Sequence, residues 1–163
     1  MTLIAIDGPA GAGKTTLAAK LQIDLSKEKS LHVIHMDDLY AGWTNPLSQD
    51  LTVTLAKIVE AFSARLQHTV PIYNWANNSF DSSRTYEPTD ILIIEGVGSG
   101  QKVVRDAGAT LYWLDVEPEI GLARVLNRDG FEIEAQMRRW QIDQEKHFKG
   151  DATRTFADYL LTS

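Results

Sequence analysis

The protein is a chain of 163 residues with 16 Lys plus Arg against 22 Asp plus Glu, a net charge of −6, and no cysteine. Lack of Cys excludes disulfides, thiolate metal sites and a Cys nucleophile, and the acidic balance argues against a broad nucleic-acid or anionic-membrane surface, since both need clustered positive charge. The length suits one domain over residues 1–163 with one proper core. No apolar stretch suggests a membrane span and the first residues lack the pattern of a secretory signal, so a cytoplasmic home is the expectation.

In chain order, residues 3–6 form a short apolar run ended by Asp7 and a Gly-rich turn, which reads as a buried strand. Across 14–26, Leu17, Ala18, Leu21 and Leu25 fall at helical spacing. Residues 31–36 are a second strand candidate. Leu51, Leu55, Ile58, Val59, Phe62 and Leu66 make an apolar helical stripe, with Asp50 placed to cap it. A third strand, 91–94, is closed by Glu95-Gly96, and a fourth, 111–114, ends in Asp115. Helical patterns follow over 118–127 and 132–148, and the run 159–161 reads as a fifth strand. Apolar strands separated by helices predict a mainly parallel sheet covered on both faces, an α/β three-layer domain.

The strongest motif is Gly8-Pro9-Ala10-Gly11-Ala12-Gly13-Lys14-Thr15. It matches the phosphate-loop pattern of Gly, four residues, then Gly-Lys-Ser/Thr, between a predicted strand and a predicted helix. Glycines let the backbone wrap a phosphate with N–H groups pointing inward, and the positive end of the helix dipole completes the anion nest. Lys14 supplies a mobile charge for the β- and γ-phosphates, and the Thr15 hydroxyl is placed to ligate Mg²⁺. Gly8, Ala10, Gly11, Ala12, Gly13, Lys14, Thr15 and Thr16 are therefore the expected ATP-binding residues.

Neither a switch Asp-x-x-Gly nor a guanine-reading Asn-Lys-x-Asp is present; Asn127-Arg128-Asp129 lacks both the Lys and the spacing. So short a chain suggests a small-molecule kinase, in which a second pocket sets an acceptor hydroxyl in line with the γ-phosphate. Asp37, in His35-Met36-Asp37-Asp38-Leu39-Tyr40, falls at the carboxyl end of the second strand, where a doubly wound sheet binds its ligands. A carboxylate there accepts the acceptor's proton as general base or orients the hydroxyl.

The segments Ile4 to Ala18, Asp37-Asp38-Leu39-Tyr40, Pro71-Ile72-Tyr73-Asn74-Trp75 and Asp90-Ile91-Leu92-Ile93-Ile94-Glu95-Gly96 stand in the order seen in uridine/cytidine kinases, which the chain resembles over most of its length. Leu114-Asp115-Val116, Arg124-Val125-Leu126 and Phe156-Ala157-Asp158 extend the likeness. The resemblance implies a phosphate-loop kinase domain of five parallel strands in the order 2-3-1-4-5, with a short helical lid at about 124–134. It implies that Asp37 is catalytic, that Tyr40, Tyr73 and Trp75 contact a nucleoside, and that Glu95 holds a Mg²⁺-bound water or fixes the phosphate loop. Arg124 and Arg128, four apart on one helix face, resemble lid arginines that close over the triphosphate.

Three features depart from that family. Its Tyr-Asp is Tyr73-Asn74 here, its base-reading His aligns with Asn78, and Glu95-Gly96-Val97-Gly98-Ser99-Gly100 carries extra glycines that either shape a pocket or loosen a loop. The expected ligands are ATP, Mg²⁺ and a small-molecule acceptor, a nucleoside first, with homo-oligomerisation left open. A kinase for a nucleoside monophosphate, pantothenate or a sugar acid, and an ATP-dependent switch without acceptor chemistry, are the alternatives. His32, His35, His68 and His147 have no metal-site spacing, and Trp43, Trp113 and Trp140 read as packing residues.

Overall fold

A computed structural model describes residues 1–163. In chain order the elements are β1 (Thr2–Asp7), α1 (Lys14–Leu25), β2 (Leu31–His35), α2 (Gln49–Ser63), β3 (His68–Asn74), β4 (Ser79–Tyr86), β5 (Ile91–Glu95), α3 (Lys102–Asp106), β6 (Thr110–Asp115), α4 (Pro118–Asp129), α5 (Glu134–Asp151) and β7 (Tyr159–Thr162). Short 3-10 turns, Met36–Asp38, Phe131–Ile133 and Thr153–Phe156, join several of them. Five strands make one parallel sheet in the order β2-β5-β1-β6-β7. Counted within that sheet, the order is 2-3-1-4-5, as expected.

The strand pattern explains the layers. Successive side chains point to opposite faces: Leu3 and Ala5 of β1, with Leu92 and Ile94 of β5, join the larger cluster under α2, α4 and α5. Ile4, Ile6, Ile91 and Ile93 join Ala18 of α1 on the other face. Because both faces are covered, the strands read as unbroken apolar runs rather than alternating ones. No helix is long and apolar enough to cross a membrane.

Several local expectations are corrected. Ser48, not Asp50, caps α2, its hydroxyl accepting from the Leu51 amide at 3.4 Å; Asp50 lies in the first turn. The helix stops at Ser63 because Arg65 turns left-handed at φ 55°, which leaves Leu66 exposed and off the stripe. The antiparallel ribbon β3-β4 and the short α3 were not expected. β4 is exposed from Ser79 to Thr85 and so has no apolar run to betray it. Over 124–134, α4 runs to Asp129, Gly130 turns the chain at φ 109°, and one 3-10 turn leads into α5.

Asp7 ties the end of β1 to the glycine-rich loop that follows β5. Its carboxylate accepts from the amides of Gly8 at 2.7 Å, Gly98 at 3.0 Å and Gly100 at 2.8 Å, while Ser99 Oγ donates to the Ile6 carbonyl at 2.8 Å. The loop after Glu95 is therefore anchored, and its glycines permit the close approach of chain to chain. Burial pushes the Asp7 carboxyl above its ordinary value; the three amides and Lys14 pull the other way. In Asp7→Ala three buried N–H groups lose their acceptor. At about 1–3 kcal/mol for each orphaned donor, the variant is expected to lose at least ~3 kcal/mol of stability, read as a lower urea midpoint.

Candidate active site

Adjacent strand order brings the carboxyl ends of β2, β5 and β1 side by side, and each delivers one part of the site. β1 leads into the phosphate loop, β2 into the Met36–Asp38 turn, and β5 ends at Glu95. The three surround a cavity of about 660 Å³ whose wall includes Ala10, Gly11, Gly13, Lys14, Thr15, Thr16, Asp37, Glu95, Arg124 and Arg128. Gly8 and Ala12 stand behind that wall. A Cβ on Gly8 would overlap the Leu114 carbonyl oxygen, which is why that turn is glycine, and Ala12 packs into the α1-side core.

Lys14 is almost wholly buried, and its Nζ donates to the carbonyls of Gly8 at 2.8 Å and Pro9 at 2.7 Å. Burial draws the ammonium below its ordinary lysine value against the attraction of Asp7, Glu95 and Asp37. A buried cation held by two carbonyls alone, at the N-terminus of α1, is the arrangement an anionic phosphate completes.

Glu95 accepts on one oxygen from two directions. Thr15 Oγ1 donates to Oε1 at 3.1 Å and His35 Nδ1 meets the same atom at 2.6 Å, leaving Oε2 without a protein partner. The bond to Glu95 raises the His35 pKa above its ordinary value despite partial burial. The contact of His35 with the site was not legible in the spacing of the histidines. Asp37, open to the cavity, has its carboxyl raised by the surrounding protein and by the negative Glu95, with Arg128 and Lys14 opposing.

The two arginines differ. Arg124 Nη1 donates to the Gly11 carbonyl at 3.2 Å and also to Ser163 Oγ, so it leans on the phosphate loop from outside. Arg128 forks onto its neighbour Asp129, Nε and Nη2 each at 2.7 Å. That pair is mostly exposed, so it holds Arg128 weakly and a phosphate can take Asp129's place.

The acceptor side is only partly as expected. Tyr40 and Trp75 line the cavity, and Trp75 Nε1 donates to the Asp37 carbonyl at 2.9 Å, fixing the Met36–Asp38 turn. Tyr73 does not line it; the ring packs edge to face against Trp75 at 5.2 Å and against Phe80 at 5.1 Å, supporting the wall from behind. Asn78 is outside as well, exposed at φ 52° in the turn of the β3-β4 ribbon. A left-handed turn position suits Asn, and it sets this residue apart from the cavity lining. Trp43 and Trp140 pack in and against the larger core cluster, as read, and line the cavity as well; Trp113, whose Nε1 donates to Asp115 at 2.6 Å, packs away from it.

Helix α5 also reaches the phosphate loop. Gln144 is buried, and its Oε1 accepts from the Ala10 amide at 3.0 Å. One helical turn earlier the same face presents Trp140 to the cavity. Removing the acceptor in Gln144→Leu orphans a loop N–H, and the variant is expected to raise the ATP KM about three- to tenfold and to lower stability by ~1–3 kcal/mol. Steady-state kinetics and urea unfolding of the same preparation check both.

No protein-family model matches the chain. It is 21% identical to a uridine kinase of Lactobacillus johnsonii over 98% of this chain and 85% of that protein. It is 24% identical to a uridine kinase of Lactobacillus helveticus over 78% and 67% respectively. Among solved structures it is similar to a possible uridine kinase from Bacillus stearothermophilus, with a TM-score of 0.71 and 23% identity over 98% of this chain and 88% of that one. A shikimate kinase from Bacteroides thetaiotaomicron shares the fold at a TM-score of 0.55 and 15% identity, over 99% and 85% of the two chains.

Proposed function

We propose that this uridine kinase-like chain, a P-loop small-molecule kinase by family, transfers the γ-phosphoryl group of Mg·ATP to a hydroxyl of a nucleoside, uridine or cytidine first. The observation that carries the reading is the position of Asp37, in one cavity with the phosphate loop on one side and aromatic rings on the other. An acceptor hydroxyl beside Asp37 attacks the γ-phosphorus; the new O–P bond forms as the bond to the β-γ bridging oxygen breaks, ADP leaves, and the hydroxyl proton passes to the Asp37 carboxylate. Lys14 and the loop amides hold the phosphates, and Arg124 and Arg128 offset the charge that spreads over the transferring group. The uridine kinase names among its relatives support the choice of nucleoside.

Magnesium fits the donors present. Thr15 and Glu95 offer hard oxygens 3.1 Å apart, and no cluster of three acidic or histidine ligands competes for a different ion. A Mg²⁺ site of this class takes one or two protein oxygens and completes its shell with phosphate and water. Thr15 and Glu95 would hold the ion there, and it would supply positive charge to the bound phosphates. A monophosphate acceptor is disfavoured because neither Arg65 nor Arg84, the cations nearest the Tyr73 segment in sequence, lines the cavity.

The test is ADP release from Mg·ATP across uridine, cytidine, deoxynucleosides, nucleoside monophosphates and pantothenate. Release dependent on uridine or cytidine is the expected result. Release with another acceptor alone moves the substrate, and ATP binding with no release on any acceptor overturns the kinase reading.

A further inference from the structure

The acceptor side of the cavity is an aromatic wall with almost no hydrogen-bonding edge. Trp43 meets Trp75 edge to face with ring centroids 5.2 Å apart and Trp140 at 6.0 Å, and Tyr40 meets Trp140 at 4.8 Å. The polar atoms of these rings are engaged or hidden: Trp75 Nε1 donates to the Asp37 carbonyl, Tyr40 Oη donates to the Val97 carbonyl at 2.6 Å, and Trp140 Nε1 is buried without a partner. Two amides of the backbone after β5 are engaged too, Gly96 on the Ile6 carbonyl and Gly98 on Asp7. No Asn, Gln, Ser or His side chain lines the cavity. Of its charged groups, Lys14, Arg124 and Arg128 serve the phosphates, Glu95 the ion and Asp37 the acceptor's proton, and Asp129 is exposed rather than buried against the wall. Trp43 Nε1 is the one ring N–H of the wall neither bonded nor buried, and every nucleobase carries an acceptor that can meet a single donor.

Discrimination by a factor of thousands needs buried polar groups that a wrong ligand leaves unpaired, whereas an apolar pocket separates close analogues by roughly ten- to two-hundredfold. Stacking on aromatic faces is tolerant of base identity because every base has a π-face. Resting on the nucleoside kinase reading above, we infer that Trp43, Trp75 and Trp140 select the acceptor by its aromatic face and leave the base edge unread, so that pyrimidine and purine nucleosides are all substrates. Trp43 and Trp140 are then specificity-determining residues, and the phosphoryl step is the one already written, with the same hydroxyl, bond and proton.

The experiment compares kcat/KM for uridine, cytidine, 5-methyluridine, adenosine, inosine and free ribose with the full chain and saturating Mg·ATP. The five nucleosides are expected within about tenfold of one another, and ribose, which has no face to stack, roughly ten- to a hundredfold below them. Preference for one base by about a thousandfold or more overturns the inference, as does ribose equal to the nucleosides. Trp43→Leu is expected to raise the KM of every nucleoside together, by about tenfold, with the ATP KM within about twofold; a rise confined to one base also overturns it. The wild-type comparison needs no variant, so misfolding of Trp43→Leu does not shield the idea. Quenching of tryptophan emission by nucleosides separates the two readings. Quenching by all five nucleosides without transfer keeps the aromatic selection and sinks the kinase; transfer with strong base preference does the reverse; neither quenching nor transfer sinks both.

Discussion

Lys14→Ala is expected to abolish measurable phosphoryl transfer while leaving the chain folded. The ammonium stands at the mouth of the amide nest, held only by the Gly8 and Pro9 carbonyls at 2.8 and 2.7 Å, and both bonds can be exchanged for phosphate oxygens without moving the backbone. In the proposed mechanism its charge serves in the ground state, where it binds the triphosphate, and again as the γ-phosphoryl group separates. Removal therefore damages KM and kcat together. Loss of one positioned donor in such a site costs about 10²–10³-fold in rate, and weaker ATP binding adds to that, so kcat/KM for ATP is expected to fall by at least ~10³-fold. Circular dichroism should remain close to wild type, because the hydrogen bonds that the side chain makes go to two carbonyls of the loop itself. Retention of tight ATP binding in this variant would mean that the nucleotide lies elsewhere.

Legibility in the sequence tracked how local each device is. The phosphate loop was readable because Gly8 to Thr15 are contiguous and the chemistry needs them so; the strand runs were readable because both sheet faces are covered. Asp37 was readable only by its place at a strand end. Trp43, Trp75 and Trp140 come from the segment after β2, the ribbon and α5, and nothing in their sequence spacing says that one wall collects them. Gln144 lies 134 positions from the Ala10 amide that it receives. Likewise, His35 touches Glu95 only because β2 and β5 are neighbours in register, His35 opposite Glu95. That pairing follows from topology, so a correct strand order with register would have found it. The ribbon leaves no signal in the sequence for a different reason: its exposed strand gains its bonds from β3 and needs no apolar pattern of its own.

Asp37→Asn separates binding from chemistry. The amide keeps the size and the cavity position but cannot take the acceptor's proton, so kcat is expected to fall about 10²–10⁴-fold, the range of a positioned general base. The ATP KM should stay within a few-fold, since Lys14 and the loop amides hold the phosphates and Trp75 bonds the Asp37 main-chain carbonyl, which the substitution leaves in place. The pH profile gives an independent sign. Surrounding protein and the negative Glu95 raise the Asp37 pKa above the ordinary carboxylate value. The carboxylate is the working form, so wild-type kcat/KM should rise with pH through that elevated value and level off above it. Bound acceptor and triphosphate exclude water and add negative charge beside Asp37, two effects that raise the pKa further in the complex. The acid limb of kcat should therefore lie at higher pH than that of kcat/KM. Asp37→Asn removes the limb along with most of the rate. A variant that keeps wild-type kcat, or one whose residual rate still carries the same acid limb, would assign the proton to another group and leave Asp37 to orient the hydroxyl alone.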